Sequence, residues 1–263
     1  MIGAIIGDII GSRFEHDNIK SKEFELFTDD CTYTDDSVMT IAIAQALLKA
    51  DGNWQILGEF AVEEMRSMGR KYPFAGYGSG FRKWIFSATP NPYNSFGNGA
   101  AMRVSACGYT AHSLEDAILL SRCVTEVTHN HPEGIKGAEA TTVAIWLARQ
   151  GMTIKDIKEY MIDNYYPIDF VLDEIRDRYE FDVTCQGSVP QALEAFFESE
   201  SFDDAIRNAI SIGGDSDTIA AITGGIAESY YGITEEIASD ALKFLDDYLI
   251  DIVRNFNTIH RKN

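Results

Sequence analysis

The sequence predicts an all-α fold, on three observations. Apolar residues recur at helical spacing through most of the 263-residue chain. Ser, Thr or Asp opens several of these segments, and Gly often closes them. No sustained run of alternating residues appears; ITEEI (233–237) and DVTCQ (182–186) are too short to read as strands.

Residues 2–12 are apolar at most positions and space Gly3, Gly7 and Gly11 by four, a small-residue stripe that permits close helix packing. A phosphate loop would require a Lys after its glycines, and none follows. Residues 37–50 read as a buried helix and 53–68 as an amphipathic one. The stretch 69–100 is glycine-rich and holds three of the six prolines, so it reads as irregular. Helical segments then follow at 113–128, 132–150, 153–164, 189–199, 201–212, 217–232 and 234–256. Ser113 with Asp116, and Ser201 with Asp204, resemble capping boxes. No heptad persists and no linker interrupts the chain, so a single domain of many helices over residues 1–263 is expected, and not a coiled coil.

Composition narrows the function. The 41 acidic residues against 22 Lys and Arg give a formal charge of -19. Such a surface repels phosphate backbones and anionic lipid heads, so nucleic acid and membranes are poor partners. An anionic substrate remains possible where cations line its pocket. Cys31, Cys107, Cys123 and Cys185 are scattered without a C-x-x-C pair, which argues against a zinc ribbon and fits a reducing cytoplasm. The apolar N-terminus lacks a basic leader and is interrupted by Asp8, so neither a signal peptide nor a membrane span is expected.

Three acidic clusters end or precede predicted helices: Glu15, Asp35 with Asp36, and Asp215 with Asp217. Capping explains any one of them, at about 1 kcal/mol per cap. Two of them, however, combine a Thr with two carboxylates at the mouth of a very apolar helix, and one cap needs one oxygen. Crowded carboxylates repel unless a cation neutralises them, and an all-oxygen set favours Mg²⁺ or Mn²⁺ over zinc. An EF-hand is excluded, because Ile219 and Ala220 stand where its loop needs Asp or Asn and Gly. The residues alone leave capping and a divalent site both open.

Two further motifs carry weaker signals. In SFGNGAAMR (95–103), Gly97 and Gly99 flank Asn98 and could present N–H groups to a phosphate, or form an ordinary turn. In THNHPEG (128–134), one histidine can bond a substrate oxygen while the other packs; a simple loop histidine is the plainer reading. Nucleophile routes fail: Tyr77 stands where the first Gly of G-x-S-x-G around Ser79 should be, and no cysteine sits in an evident His-paired motif.

Taken in order, GAIIGDIIGSRFE (3–15), YTDDSVMT (33–40), SFGNGAAMR (95–103), THNHPEGIKGAEATT (128–142) and GGDSDTIAAITGGIAESYYG (213–232) resemble the ADP-ribosylglycohydrolase family. That family includes the dinitrogenase reductase-activating glycohydrolases and the ADP-ribosyl-acceptor hydrolases. The resemblance implies an all-α fold with two Mg²⁺ or Mn²⁺ ions in a cleft, cleaving the bond between ADP-ribose and a protein or small-molecule acceptor. It implies Thr34, Asp35, Asp36, Asp215, Asp217 and Thr218 as metal ligands, with Asp217 bridging and Glu15 at the second metal or its water. Asp35 or Asp36, with Glu15 as a second candidate, would serve as general acid/base. Ser95, Gly97, Asn98, Gly99 and His129 would meet the diphosphate and distal ribose. The ions and loop amides would then reconcile an acidic protein with an anionic substrate. Thr28, Asp29 and Asp30 match nothing in the pattern, although they repeat the Thr-Asp-Asp of residues 34–36. Two other readings compete: a non-catalytic binder of ADP-ribose, and a phosphohydrolase splitting the diphosphate. The rim loops 69–94 and 164–188 carry no readable acceptor code, and the chain is large enough to stand as a monomer.

Overall fold

The computed structural model describes residues 1–260. Fourteen α-helices lie among the described residues: α1 (Ile2–Gly11), α2 (Asp35–Ala50), α3 (Leu57–Lys71), α4 (Ser79–Phe86), α5 (Ser105–Thr110), α6 (Leu114–Thr125), α7 (Pro132–Arg149), α8 (Ile154–Asn164), α9 (Leu172–Ile175), α10 (Cys185–Phe197), α11 (Phe202–Ser211), α12 (Ser216–Tyr231), α13 (Glu235–Leu242) and α14 (Asp247–His260). No strand forms among them; Gly97 and Thr184 make an isolated antiparallel bridge. The all-α expectation holds.

Capping residues set many of the boundaries. Ser113 accepts from the Asp116 N–H and Ser201 from the Asp204 N–H, each at 3.1 Å. Asp204 in turn accepts at 3.1 Å from the N–H of Glu200, the residue before the N-cap, so the return bond falls one residue short of a capping box. Elements that the sequence does not announce carry weak local signals. The helices α4 and α5 lack a side-chain cap, are short, and lie in or beside the glycine-rich stretch. The expected helix 234–256 is broken at residues 243–246, where Asp246 accepts from the Leu249 N–H at 3.0 Å and starts α14. Helix α10 begins at Cys185, four residues before the expected start, and tolerates Pro190 within its second turn.

Helix α1 is the centre of the packing, with every residue buried. It lies antiparallel to α12, and its glycine stripe permits the close contact that the spacing suggested. A Cβ added to Gly7 would lie 2.0 Å from the Ala220 carbonyl oxygen; one on Gly3, 2.2 Å from that of Gly224. At Gly11 it would meet the Asp217 Cα at 2.5 Å. Backbone therefore rests on backbone, and the C-terminal end of α1 is fixed beside the N-terminal end of α12. The N-terminus of α2 joins the same corner through Asp8, so two positive helix ends converge there.

All four cysteines are free. No described helix is long and apolar enough to cross a membrane.

Candidate metal centre and substrate cleft

The corner where α1, α2 and α12 meet is built by a short chain of hydrogen bonds. Thr34 is the N-cap of α2, its hydroxyl accepting from the Asp36 N–H at 3.2 Å. Asp35 and Asp36 are thus in the first helical turn but do not cap it. Asp215 occupies the N-cap position of α12 and makes no side-chain cap bond. Its carboxylate instead accepts from Asn98 Nδ2 at 2.6 Å, and Asn98 also donates to Ser188 Oγ at 3.0 Å. Thr218 Oγ1 donates to Asp36 Oδ2 at 3.2 Å, tying α12 to α2. The capping explanation therefore fails for Asp35, Asp36 and Asp215.

These groups line a cleft of about 370 Å³. Every site residue expected from the sequence is on its wall: Glu15, Thr34, Asp35, Asp36, Ser95, Gly97, Asn98, Gly99, His129, Asp215, Asp217 and Thr218. The acids fall into two triads. One oxygen each from Asp8, Asp36 and Asp217, and one each from Glu15, Asp215 and Asp217, lie within 4.8 Å of one another. Asp217 belongs to both. Asp36 Oδ1 is buried with no hydrogen-bond partner among the described residues. The exposed His16 is 3.8 Å from Glu15, and the buried Arg103 lines the same cleft.

Carboxylates this close and this dry resist ionisation. Burial, then the charge of Asp8, pushes Asp35 up to about 8. Asp36 is raised well above the ordinary range by burial, then by Asp8, Asp35 and Asp215. Asp217 is raised likewise by burial, then by Asp36 and Asp215. Glu15, half-buried on the turn after α1, is raised by burial, with His16 opposing. Such a cluster takes up either protons or a hard cation. The unpartnered Asp36 oxygen and the all-oxygen donor set fit a divalent ion of the magnesium or manganese kind.

The Ser95–Gly99 loop also lines the cleft, next to Asp215. Its hydrogen bonding differs from the bare amides expected: the Gly97 N–H donates to Ser95 Oγ at 3.2 Å and the Asn98 N–H to the Val183 carbonyl at 2.8 Å. The Asn98 N–H is therefore not free for a phosphate, and its side chain is committed to Asp215. A 3₁₀ turn at Asn98–Ala100, not an α-helix, follows directly.

His129 is buried, and its Nδ1 is 2.7 Å from Thr128 Oγ1. That hydroxyl already accepts from Arg103 Nη2 at 2.6 Å, and its other acceptor, the Thr125 carbonyl, is farther away at 3.3 Å. Its proton is therefore assigned to His129 Nδ1, which places the ring's own proton on Nε2. Burial, then Arg103, keeps His129 well below its ordinary pKa and hence neutral. Nε2 faces the loop, 3.5 Å from where a Gly99 Cβ would stand. His131, the other half of the pair, caps α7 by accepting from the Glu133 N–H at 3.1 Å.

Several residues of the site are given no role by the sequence reading, although Arg103 closes the motif at 95–103 and Asp8 lies within that at 3–15. Arg103 is fully buried behind His129; Phe181 and Val183, each 51% exposed, stand at the rim. Asp8 looks in the sequence like a mere break in an apolar run, although a lone carboxylate in so apolar a helix is itself a signal. Asp29 and Asp30 are exposed and line none of the cleft, while Thr28 accepts from Arg13.

The architecture and the cleft together define a helical protein whose helix ends gather carboxylates and hydroxyls that could hold a metal ion. The family profile described as ADP-ribosylglycohydrolase matches residues 1–261, and the chain belongs to that family. It is 28% identical over 313 residues to ADP-ribosylhydrolase ARH3 of Homo sapiens, covering 89% of this chain and 85% of the relative. It is 22% identical over 280 residues to ADP-ribosylarginine hydrolase Tri1 of Pseudomonas putida (strain GB-1), covering 89% and 70%. Among solved structures, an ADP-ribosylglycohydrolase-related protein complex superposes with a TM-score of 0.68 at 19% identity, over 99% of this chain and 96% of that one. That last likeness speaks to the fold.

Proposed function

We propose that this protein hydrolyses the glycosidic bond between ADP-ribose and an acceptor, a protein side chain or a small molecule, and releases ADP-ribose. One observation carries the reading: Glu15, Asp35, Asp36, Asp215 and Asp217 crowd a single cleft and have no lysine or arginine ion-paired to them among the described residues. The substrate class rests on the family and on the relatives' activities. The residues that would hold two divalent cations, Mg²⁺ or Mn²⁺, are Thr34, Asp35, Asp36, Asp215, Asp217, Thr218 and Glu15. Such a pair supplies charge neutralisation and a clamp for vicinal hydroxyls of the ribose.

The protein's own groups divide the remaining work. Asp35 belongs to neither triad, so among the acids of the cleft it is the better candidate to hold a proton for the leaving acceptor. Glu15, half-buried at the cleft mouth, is placed to accept a proton from the incoming water. Asn98 orients Asp215. The neutral His129 offers Nε2–H to a diphosphate or distal ribose oxygen, beside Ser95, Gly97 and Gly99. Phe181 at the rim offers a ring face to the nucleobase. The free cysteines fit a cytoplasmic setting, and we take one domain acting as a monomer as the working unit.

The test is a panel of mono-ADP-ribosylated arginine, serine and small-molecule substrates with added Mg²⁺ or Mn²⁺. Release of intact ADP-ribose from at least one supports the proposal. AMP with ribose phosphate would indicate a phosphohydrolase, and tight binding without turnover a non-catalytic relative.

A further inference from the structure

Asp8 stands apart from the acids of the cleft. It sits on α1, is fully buried and lines none of the cavity, yet one of its oxygens is within 4.8 Å of oxygens from Asp36 and Asp217. Proximity alone would make it a metal ligand. Its hydrogen bonds argue otherwise. Asp8 does not face the cleft, and four donors engage it: three fill Oδ2 beyond its two lone pairs and one is on Oδ1. Thr34 Oγ1 donates to Oδ1 at 2.7 Å; the Thr34 N–H at 2.9 Å, the Ser37 N–H at 3.0 Å and the Ser37 hydroxyl donate to Oδ2.

What those donors share is the turn that carries Thr34, Asp35 and Asp36. A threonine hydroxyl binds a cation through an oxygen lone pair, so its proton must be directed elsewhere. Thr34 Oγ1 gives its proton to Asp8 and spends one lone pair on the Asp36 N–H at 3.2 Å. One lone pair remains, on a residue that lines the cleft. The rival acceptor for that proton is Asp36 Oδ2 at 3.4 Å, itself in the candidate ligand set; the 2.7 Å bond to Asp8 wins on distance. We propose that Asp8 is a positioning residue: it fixes the Thr34 hydroxyl with its proton turned toward α1, which leaves both the Thr34 lone pair and Asp36 available to a divalent cation.

This rests on the cation site proposed above, and the test separates the two. The probe is Mn²⁺ alone, titrated into the full chain with free Mn²⁺ followed by electron paramagnetic resonance. Wild-type protein that binds no Mn²⁺ overturns the site itself, and the positioning role with it, before any variant is made. Given wild-type binding, Asp8→Asn is expected to weaken affinity by about 10- to 100-fold, as for other groups that orient a ligand from behind. Thr34→Val should weaken it comparably, and Thr34→Ser should restore it to within a few-fold. The double variant Asp8→Asn with Thr34→Val should bind no more weakly than the worse single variant, because Asp8 acts through Thr34. Additive losses would show Asp8 acting on the cation directly and overturn the proposal. So would unchanged affinity in folded Asp8→Asn, or in Thr34→Val should Asp8→Asn fail to fold.

Discussion

Replacing Asp35 by asparagine should make the cation-free protein more stable at neutral and alkaline pH while ending its catalysis. The unfolded chain titrates Asp35 near 3.8, whereas the folded, cation-free protein holds that proton up to about 8. The stability associated with the bound proton is complete below the lower value and is lost as pH rises toward the upper one. The asparagine side chain is neutral throughout and loses nothing. Between about pH 5 and about pH 8 the ceiling on the difference is roughly 4 kcal/mol, from about three pH units at about 1.4 kcal/mol each. A gain on the order of a few kcal/mol, below that ceiling, is expected. Urea unfolding in EDTA at both pH values, for wild type and Asp35→Asn, measures it. Saturating Mn²⁺ should stabilise the wild type at the higher pH and narrow the gap. A stability difference that does not change with pH would refute the burial and crowding argument for Asp35.

Other expectations concern the choice of acids and the packing beneath them. Asp217→Ala should abolish turnover, whereas Asp29→Ala and Asp30→Ala should leave it within a few-fold, since those two side chains face solvent. Steady-state rates of ADP-ribose release decide it, and an equal loss would mean that the wrong Thr-Asp-Asp copy was chosen. Excess EDTA should stop hydrolysis and Mg²⁺ or Mn²⁺ restore it; full activity after rigorous chelation would remove the cations from the mechanism. Gly7→Ala would drive a methyl group to 2.0 Å from the Ala220 carbonyl oxygen, and backbone cannot step aside as a side chain can. A destabilisation of about 3 kcal/mol or more is expected, the severe end of overpacking, and an unchanged melting temperature would contradict the packing of α1 on α12.

Much of this arrangement is legible in the sequence because local chemistry and global fold agree. The glycine spacing of α1 announces a close helix contact, and the two Thr-with-carboxylate segments each offer more oxygens than a cap can use, which leaves capping and a cation site both open until the fold brings them to one cleft. The illegible parts depend on distant partners. Nothing local to Asn98 says that its amide serves Asp215, 117 residues away, or that its own N–H is claimed by Val183, from a stretch too short to read as a strand. Helices α4 and α5 escape a reading based on caps because packing defines them: Phe81, Trp84 and Ile85 are buried on α4, and all but one of the residues of α5 are buried. The distinction between His129 and His131 likewise appears only when α7 begins at Pro132 and needs a cap.

The seam between α1 and α12 has a notch every four residues, and that periodicity makes the site a register gauge. Sliding one helix along the other by a single glycine interval moves it about 6 Å, four residues at about 1.5 Å each. A slipped pairing could still bring glycine against small residues and keep the helical content intact. It would nevertheless exceed the 4.8 Å within which each triad's oxygens must gather. Circular dichroism would not distinguish the two registers, whereas cation affinity would.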